Sequence, residues 1–348
     1  MKEICLGKTG LRVTRIGMGG IPIQRLSVEE ADRLIVQAVE LGINFFDSAR
    51  IYTDSERKFG RVLPEVRQRV FIASKSFSRS RDQILSDVTT SLRELRTDVV
   101  DIYQCHNVAS EKELDQVLAP QGAVAGLLQA QKSGKIRFIG ISGHKPWILV
   151  SALQRFDFDT IQIPFNFMET AAAATLIPLA REKKCGLIAM KPIGGGNIRH
   201  VGFNFRYIFS AGIDVAIPGM DSVDQVRENL SVLKKLAPLS AAEIASLEEE
   251  RRELGNDFCR RCEYCLPCPQ GLPIAFLHVL KNYYFRYGLK DWVWERLQAL
   301  DKTFQDCSAC GECVRKCPYH LDNPAIFSAA WEKISRDRRP SATPAGRD

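Results

Sequence analysis

The feature that most constrains the fold is a repeat of short apolar segments, each followed by a stretch with helical periodicity, up to about residue 238. Eight β/α units in this length favour closure into a (β/α)₈ TIM barrel, an α/β fold. A doubly wound open sheet is the alternative, but "IPIQRLS" follows Gly20 where the first helix of a nucleotide-binding GxGxxG motif would begin. The strand candidates are residues 15–20, 43–47, 70–74, 100–105, 136–142, 160–165, 186–190 and 214–219.

The segments between these strands carry helix signals. Residues 27–42 begin with a capping box, in which Ser27 precedes Glu30 by three positions, and end at Gly42. Apolar residues recur every three or four positions in this segment and in residues 81–95 and 222–236. We therefore predict an amphipathic helix in each of the three segments.

Composition and charge exclude several classes of function. The net charge is +7, and lysine and arginine are spread without a long basic block, so nucleic acid is not an expected partner. The first residues lack the apolar stretch of a signal peptide, and no apolar run approaches the roughly 20 residues that cross a bilayer. We expect a cytoplasmic protein with no membrane partner. In that reducing compartment, 11 cysteines indicate metal or cluster binding rather than disulfides.

Four chemically active side chains follow three consecutive strands of the predicted barrel. Asp47 ends the second strand and Tyr52 lies five residues later, while Lys75 and His106 end the third and fourth strands. Because the carboxyl ends of barrel strands meet at one rim, we expect these groups to converge. A lysine ammonium would stabilise the phenolate of a tyrosine, and a carboxylate would hold the lysine. The phenol could then protonate a carbonyl oxygen that an imidazole orients.

These residues lie in three segments that resemble the signature regions of the aldo-keto reductases. The segments are "GINFFDSARIYTDSERKFG", "VFIASKS" and "SLRELRTDVVDIYQCH". The resemblance covers about two-thirds of the chain, and it implies catalytic roles for all four residues. Tyr52 would be the proton donor, Asp47 and Lys75 would tune it, and His106 would orient the substrate carbonyl.

The same resemblance implies a nicotinamide cofactor. Ser142 and Gln162 match positions that contact the nicotinamide carboxamide, and Asn229 matches an adenine contact. Met190 stands where an aromatic side chain usually stacks on the nicotinamide. Gly194 and Gly195, in "KPIGGGN", follow the seventh strand, where barrels commonly bind phosphate through backbone N–H groups. NADP is the weakly preferred cofactor and NAD remains possible, because Gly219 and Gln225 occupy places where a 2′-phosphate would need basic residues; Arg227 could substitute.

Eight of the cysteines form two late runs, at Cys259, Cys262, Cys265 and Cys268, and at Cys307, Cys310, Cys313 and Cys317. The second run has the spacing C-x₂-C-x₂-C-x₃-C-P, in which three cysteines hold one [4Fe–4S] cluster and the fourth binds the other. We therefore predict two clusters with crossed ligation, in which Cys317 joins the first three cysteines of the first run and Cys268 joins those of the second. The first run closes with two intervening residues rather than three, which makes the cluster count less secure. Structural zinc is the alternative, although it usually uses two separated C-x₂-C pairs.

The segment between the two cysteine runs is long, rich in aromatic residues and without strand alternation. It predicts a small, mainly α-helical ferredoxin-like domain. The expected organisation is a barrel over residues 1–255, an iron–sulfur domain over 256–330, and a disordered polar tail over 331–348.

Together these features predict an oxidoreductase that exchanges hydride between a nicotinamide cofactor and a small carbonyl or alcohol. The clusters would transfer electrons, with a ferredoxin-type carrier as a possible partner, or serve structure. An alternative of another class is an electron-transfer or redox-sensing iron–sulfur protein whose barrel is catalytically inactive. The presence of all four rim residues argues against that alternative.

Overall fold

The first part of the chain forms a parallel barrel preceded by a hairpin. The structure, a computed structural model, describes residues 3–255, 258–259, 265–285, 288–317 and 319–337. Within residues 3–255, eight parallel strands form one sheet in which each strand pairs with the next one along the sequence. The hairpin is β1 (Glu3–Cys5) and β2 (Arg12–Thr14), and the barrel strands are β3 (Met18–Gly19), β4 (Phe45–Asp47), β5 (Phe71–Ser76), β6 (Val100–Cys105), β7 (Ile136–Ser142), β8 (Thr160–Pro164), β9 (Gly186–Met190) and β10 (Val215–Ile217).

The two edge strands of this sheet meet and close it. The Gly17 N–H donates to the Ala216 carbonyl at 2.9 Å, and the Gly19 N–H donates to the Pro218 carbonyl at 2.9 Å. Gly19 permits this approach, because a Cβ there would lie 3.0 Å from the Ile217 carbonyl oxygen. The predicted (β/α)₈ barrel is therefore confirmed, and every strand candidate overlaps one of its strands.

The hairpin closes the end of the barrel at which the parallel strands begin. Leu6, Leu11 and Val13 pack in one cluster with side chains of the barrel interior, including Phe45 and Val215. The Lys8 N–H also donates to the carbonyl of Lys184, just before β9, at 2.6 Å. Sequence reasoning did not predict this hairpin, because three-residue strands are too short to show a readable alternation.

Helices follow the strands around the barrel. The capping box at the first helix is present, with the Glu30 N–H donating to Ser27 Oγ at 3.2 Å and the Ser27 N–H to Glu30 Oε2 at 2.8 Å. The predicted helix over 222–236 is shorter and continues as a 3₁₀ turn, Val232–Lys234. The helices are α1 (Val28–Glu40), α2 (Ser55–Val62), α3 (Arg81–Leu95), α4 (Glu111–Leu118), α5 (Ala123–Lys132), α6 (Pro146–Arg155), α7 (Leu176–Glu182), α8 (Val201–Ser210), α9 (Val223–Ser231) and α10 (Ala241–Gly255).

The chain divides into two compact units between Glu248 and Glu249, within α10. The second unit is helical, as predicted, and its core includes Leu277, Tyr284 and Phe327. None of the helices in the described part of the chain combines the length and apolar character needed to cross a membrane. The helices of the second unit are α11 (Ile274–Phe285), α12 (Lys290–Gln298), α13 (Glu312–Lys316) and α14 (Asn323–Asp337).

The predicted disordered tail over 331–348 begins too early. Residues 331–337 belong to α14, where Ala330 and Ile334 are buried in the core of the second unit. The apolar face of the helix therefore extends into a segment whose polar composition suggested disorder. Residues 338–348 lie outside the described residues.

Candidate functional site

The four side chains predicted to converge lie together at the end of the barrel opposite the hairpin. Asp47 is the last residue of β4, Lys75 lies near the end of β5, and His106 follows β6. Tyr52 lies in the turn between β4 and α2. Lys75 Nζ lies 5.1 Å from the centroid of the Tyr52 ring, and the Tyr52 and His106 ring centroids are 6.2 Å apart in an edge-on arrangement.

Asp47 is the centre of a buried polar network that joins several strands. Lys75 Nζ donates to Asp47 Oδ2 and, at 2.8 Å, to the carbonyl of Ser48. The other carboxylate oxygen, Oδ1, accepts from Gln162 Nε2 at 2.8 Å and from Gln104 Nε2 at 3.4 Å. These donors fix the carboxylate of Asp47 in place, and it in turn holds the ammonium group close to Tyr52.

Burial lowers the pKa of Lys75, and the carboxylates of Asp47 and Glu56 oppose that effect. The Lys75 side chain is only 1% exposed. A cation in such a place interacts with its neighbours more strongly than it would in water. Such a charge beside the Tyr52 ring would favour a phenolate over a phenol.

Gln104 is a member of this network that sequence reasoning missed. It pairs with Lys75 across β5 and β6, so both side chains point into the barrel. The signal was present in "VDIYQC", where strand alternation puts Gln104 on the same face as Ile102. A polar side chain buried inside a barrel needs a hydrogen-bond partner there.

The His106 imidazole is held in its neutral form. Burial, together with the positive charges of Lys75, Arg79 and Lys191, places the pKa of His106 well below its ordinary value. Its ring packs on Phe77, with 4.2 Å between ring centroids, and its Nδ1 is buried without a hydrogen-bond partner. A neutral imidazole can donate one hydrogen bond to a carbonyl oxygen without adding a charge to the site.

Lys58 is a second residue that sequence reasoning missed. Its side chain is nearly buried, forms an ion pair with Asp54 at 2.9 Å, and donates to the carbonyls of Ile23 at 2.9 Å and Leu26 at 2.8 Å. It thereby fastens the segment after β3 to α2, the helix that follows Tyr52. A lysine inside "SERKFG" carries no local sign of such contacts, because its acceptors are backbone carbonyls about 30 residues earlier in the chain.

The residues expected to bind the nicotinamide end of a cofactor lie at strand ends around the same rim. Ser142 ends β7, Gln162 lies in β8, and Met190 ends β9. The Asn107 N–H donates to Ser142 Oγ at 2.9 Å. Gln162 Oε1 is buried and has no hydrogen-bond partner, although its Nε2 is bound to Asp47. This oxygen could accept a hydrogen bond from a carboxamide N–H, so the residue fits the group that the resemblance implies.

The residues expected to bind the rest of the cofactor follow the same strands. Gly194 and Gly195, after β9, have φ values of +56° and +70°, and the neighbouring Gly196 has +82°. Glycine adopts this left-handed backbone conformation with little steric strain, and successive glycines of this kind suit a loop that approaches a phosphate closely. Asn229 is a buried residue of α9, the helix after β10.

In the second unit, four predicted cluster ligands surround one pocket. Cys268 comes from the first run, and Cys307, Cys310 and Cys313 come from the second. The pocket contains about 320 Å³ of space free of protein atoms, part of it open to solvent. Crossed ligation predicts this grouping of one cysteine with three. Four thiols are also the donor set that a [4Fe–4S] cluster requires, so the residues fit that group.

Apolar side chains complete this pocket, among them Leu272, Ile274 and Phe327. In the described residues, no three His, Cys, Asp or Glu side chains are arranged to hold a single metal ion. Of the other four predicted ligands, Cys317 is buried, and Cys259 and Cys265 are partly exposed. Cys262 lies outside the described residues, so their grouping stays a prediction.

Comparisons with known proteins match both parts of the chain. The family model "Aldo/keto reductase family" matches residues 15–201, and the model "4Fe-4S dicluster domain" matches residues 258–322. L-galactose dehydrogenase from Arabidopsis thaliana is 29% identical over 285 residues, which cover 67% of this chain and 88% of that protein. The uncharacterized oxidoreductase YqkF of Bacillus subtilis is 25% identical over 210 residues, which cover 56% of this chain and 66% of that protein.

Solved structures agree on the fold of the first unit. Aldo-keto reductase AKR11C1 from Bacillus halodurans, in its holo form, superimposes with a TM-score of 0.63 at 22% identity, covering 72% of this chain and 96% of that one. An aldo-keto reductase from Klebsiella pneumoniae in complex with NADPH gives 0.62 at 20% identity, covering 72% and 95%. The chain belongs to the aldo/keto reductase family, and it carries a 4Fe–4S dicluster domain after the barrel.

Proposed function

We propose that the barrel reduces a small carbonyl compound, or oxidises the corresponding alcohol, with a nicotinamide cofactor. The observation that carries this proposal is the buried Lys75–Asp47 pair, which places a cation 5.1 Å from the centre of the Tyr52 ring. Membership of the aldo/keto reductase family and the name of the relative L-galactose dehydrogenase support it.

In this proposal Tyr52 gives the proton of its hydroxyl group to the carbonyl oxygen of the substrate. Lys75 stabilises the phenolate that remains, and Asp47 keeps the ammonium group in place. His106 donates a hydrogen bond to the same carbonyl oxygen and orients it, which its neutral form allows. A bound nicotinamide would supply the hydride to the carbonyl carbon or accept it from the alcohol.

The cofactor itself is proposed to be NADP, with NAD as the alternative. Ser142, Gln162 and Met190 would contact the nicotinamide, Gly194 and Gly195 the phosphates, and Asn229 the adenine. The NADPH bound to the Klebsiella pneumoniae aldo-keto reductase supports NADP. Binding of NADPH and NADH to the anaerobically purified protein, followed by fluorescence, tests this order of preference; a tenfold tighter Kd for NADH would reverse it.

The substrate-facing surface is proposed to accept an apolar group beside the carbonyl. Large apolar side chains are exposed in the segments that follow four of the strands, at Ile21, Ile51, Phe77 and Trp147. A panel of aliphatic aldehydes, aromatic aldehydes, ketones and secondary alcohols, assayed with both nicotinamide cofactors, tests the activity and this preference together. Absence of turnover, together with absence of nicotinamide binding, would favour the alternative of an inactive barrel attached to an electron-transfer domain.

Tyr52→Phe is the decisive variant for the barrel. We expect it to abolish carbonyl reduction, because the ring remains and only the proton donor is removed. Nicotinamide binding and the visible absorbance of the clusters should be unchanged. Undiminished reduction by Tyr52→Phe would show that another group donates the proton.

We further propose that the second unit holds two [4Fe–4S] clusters, one of them in the pocket of Cys268, Cys307, Cys310 and Cys313. A bound cluster would supply single-electron transfer, with a ferredoxin-type carrier as partner, or stiffen the unit. Hydride transfer moves an electron pair and needs no such carrier, so we expect Cys310→Ser to keep carbonyl reduction and to lose electron exchange with reduced ferredoxin. Iron and sulfide analysis tests the clusters directly, and stoichiometric zinc in place of iron would overturn them.

A further inference from the structure

Three buried asparagines contact the start of the segment between β9 and α8, residues 191–196, which we call the glycine loop. Asn166 follows β8, Asn197 comes directly after the glycine loop, and Asn204 lies in α8. Their exposed fractions are 0%, 5% and 0%. Each side chain donates from Nδ2 to a backbone carbonyl of the glycine loop, so three side-chain hydrogen bonds hold its backbone.

The acceptors of these bonds are carbonyls that lie close together in the glycine loop. The three bonds run from Asn166 to Lys191 at 3.1 Å, from Asn204 to Pro192 at 2.6 Å, and from Asn197 to Gly194. The carbonyl of Ile193, which completes this run, accepts from the N–H of Gly196 at 2.9 Å. All four carbonyls from 191 to 194 are therefore engaged by donors of the protein itself.

Two of the three amides are fixed in direction by their oxygen atoms. Asn204 Oδ1 accepts from the Phe167 N–H at 3.0 Å. Asn166 Oδ1 accepts from the N–H groups of Met168 at 2.8 Å and Glu169 at 2.9 Å. Because an amide oxygen only accepts and an NH₂ group only donates, turning either amide over would break these bonds as well as the bond to the glycine loop. Asn204 thereby joins the segment after β8 to the segment after β9.

We propose that Asn166, Asn197 and Asn204 are positioning residues for the cofactor phosphates, which keep the carbonyl oxygens of the glycine loop turned away from the anion so that backbone N–H groups face it. This inference rests on the proposed function of Gly194 and Gly195 as phosphate contacts. It adds residues that would touch no atom of the cofactor and would act only through the backbone of the glycine loop.

The need for such anchors follows from the peptide dipole and from the glycines. A carbonyl oxygen carries the negative end of the dipole and repels a phosphate, whereas successive N–H groups form an anion-binding concavity. Successive glycines adopt many backbone conformations, and ordering them during binding would weaken the affinity for the ligand. Lys191 has a φ of +53°, which a non-glycine residue keeps only where its surroundings impose it, and the bond from Asn166 to its carbonyl is one such constraint.

Ligand binding to the anaerobically purified full chain tests the inference without measuring turnover. The Kd of NADPH or NADH, whichever binds more tightly, is measured by fluorescence, and that of ADP by competition, because ADP carries the pyrophosphate but no nicotinamide. We expect Asn204→Leu to raise both Kd values about tenfold, which corresponds to the loss of about one hydrogen bond. Asn197→Ala, which removes a bond within the same segment, should raise both about threefold.

Asn44→Leu is the matched control, because Asn44 makes the same kind of contact at the hairpin end of the barrel. Its Oδ1 accepts from the Thr14 N–H at 2.7 Å, and its Nδ2 donates to the Arg12 carbonyl at 3.0 Å. This variant should lose stability in urea unfolding and keep the wild-type Kd for both ligands. Equal weakening of binding in Asn44→Leu would show a general effect of lost stability and refute the positioning role.

The remaining outcomes separate this inference from the proposed function. A wild type that binds neither nicotinamide cofactor would refute the proposed function of the barrel, whereas wild-type Kd values in both folded asparagine variants would refute only the positioning role. A loss of affinity for the nicotinamide cofactor without a loss for ADP would place the effect away from the phosphates and refute the inference as well. If Asn204→Leu does not fold, Asn197→Ala decides.

Discussion

Removing the charge of Lys75 offers the sharpest test of the barrel site. Lys75 Nζ lies 5.1 Å from the centre of the Tyr52 ring. With an effective dielectric constant of about 20, a unit charge about 5 Å away favours a phenolate over a phenol by about 3 kcal/mol. We therefore expect Lys75→Met to slow carbonyl reduction about a hundredfold where proton transfer limits the rate.

The same substitution should also destabilise the barrel. Lys75→Met leaves the buried carboxylate of Asp47 with only the amides of Gln104 and Gln162, and breaking a buried pair in this way costs about 3–5 kcal/mol. Adding Asp47→Asn removes the uncompensated charge and keeps an oxygen that can accept from Gln162. The double variant should therefore recover most of the lost stability.

Lys75→Met and the double variant separate the effect on stability from the effect on catalysis. Urea unfolding followed by near-ultraviolet circular dichroism measures the first, and consumption of NADPH with the best carbonyl compound of the panel measures the second. The double variant should be stable and still slow. Recovery of wild-type turnover in the double variant would refute the idea that Lys75 tunes Tyr52, and full stability of Lys75→Met alone would contradict the buried ion pair.

Three further predictions concern other parts of the molecule. Because the pKa of His106 is lowered in the folded protein, only the unfolded chain gains a proton at this residue below about pH 6.5. The free energy of unfolding of the wild type should therefore fall relative to that of His106→Gln, by up to about 1.4 kcal/mol per pH unit. An equal pH dependence of the two proteins in urea unfolding would contradict the neutral imidazole. Cys268→Ser and Cys310→Ser should each halve the iron content and leave the paramagnetic signal of the same remaining cluster. Cys259→Ser should instead leave the signal of the cluster that those two variants lose. Different residual signals for Cys268→Ser and Cys310→Ser would disprove crossed ligation. Lys58→Met should lower the melting temperature of the barrel and raise KM more than it lowers kcat, because it frees the segment after β3; unchanged KM would restrict Lys58 to a structural role.

The sequence predicts those parts of the barrel that depend on local patterns. Each strand candidate is a short apolar run and each of the three predicted helices has an amphipathic stripe, so the alternation alone indicates the fold. Asp47 and Lys75 could be identified because the closure of a barrel brings strand ends to one rim, whatever the details of packing. The cysteine pairing of the described pocket follows in the same way, from a spacing that only one kind of site commonly uses.

What the sequence does not predict depends on contacts between distant segments. Gln104 and Lys58 look like ordinary polar residues until the strands and the segment after β3 surround them. The disordered tail was predicted to begin too early, because the burial of Ile334 depends on a core that the second unit supplies. Asn204 is the same kind of case, since its partners Phe167 and Pro192 lie 37 and 12 residues earlier in the chain.

The hairpin at the base of the barrel has a consequence for the order of events in turnover. Because Leu6, Leu11 and Val13 close that end, whatever reaches Tyr52 must enter and leave through the opposite end. In the proposed reaction, cofactor and substrate then use the same opening, so the molecule that binds deeper must bind first and dissociate last. Product-inhibition patterns should accordingly show an ordered rather than a random sequence of binding.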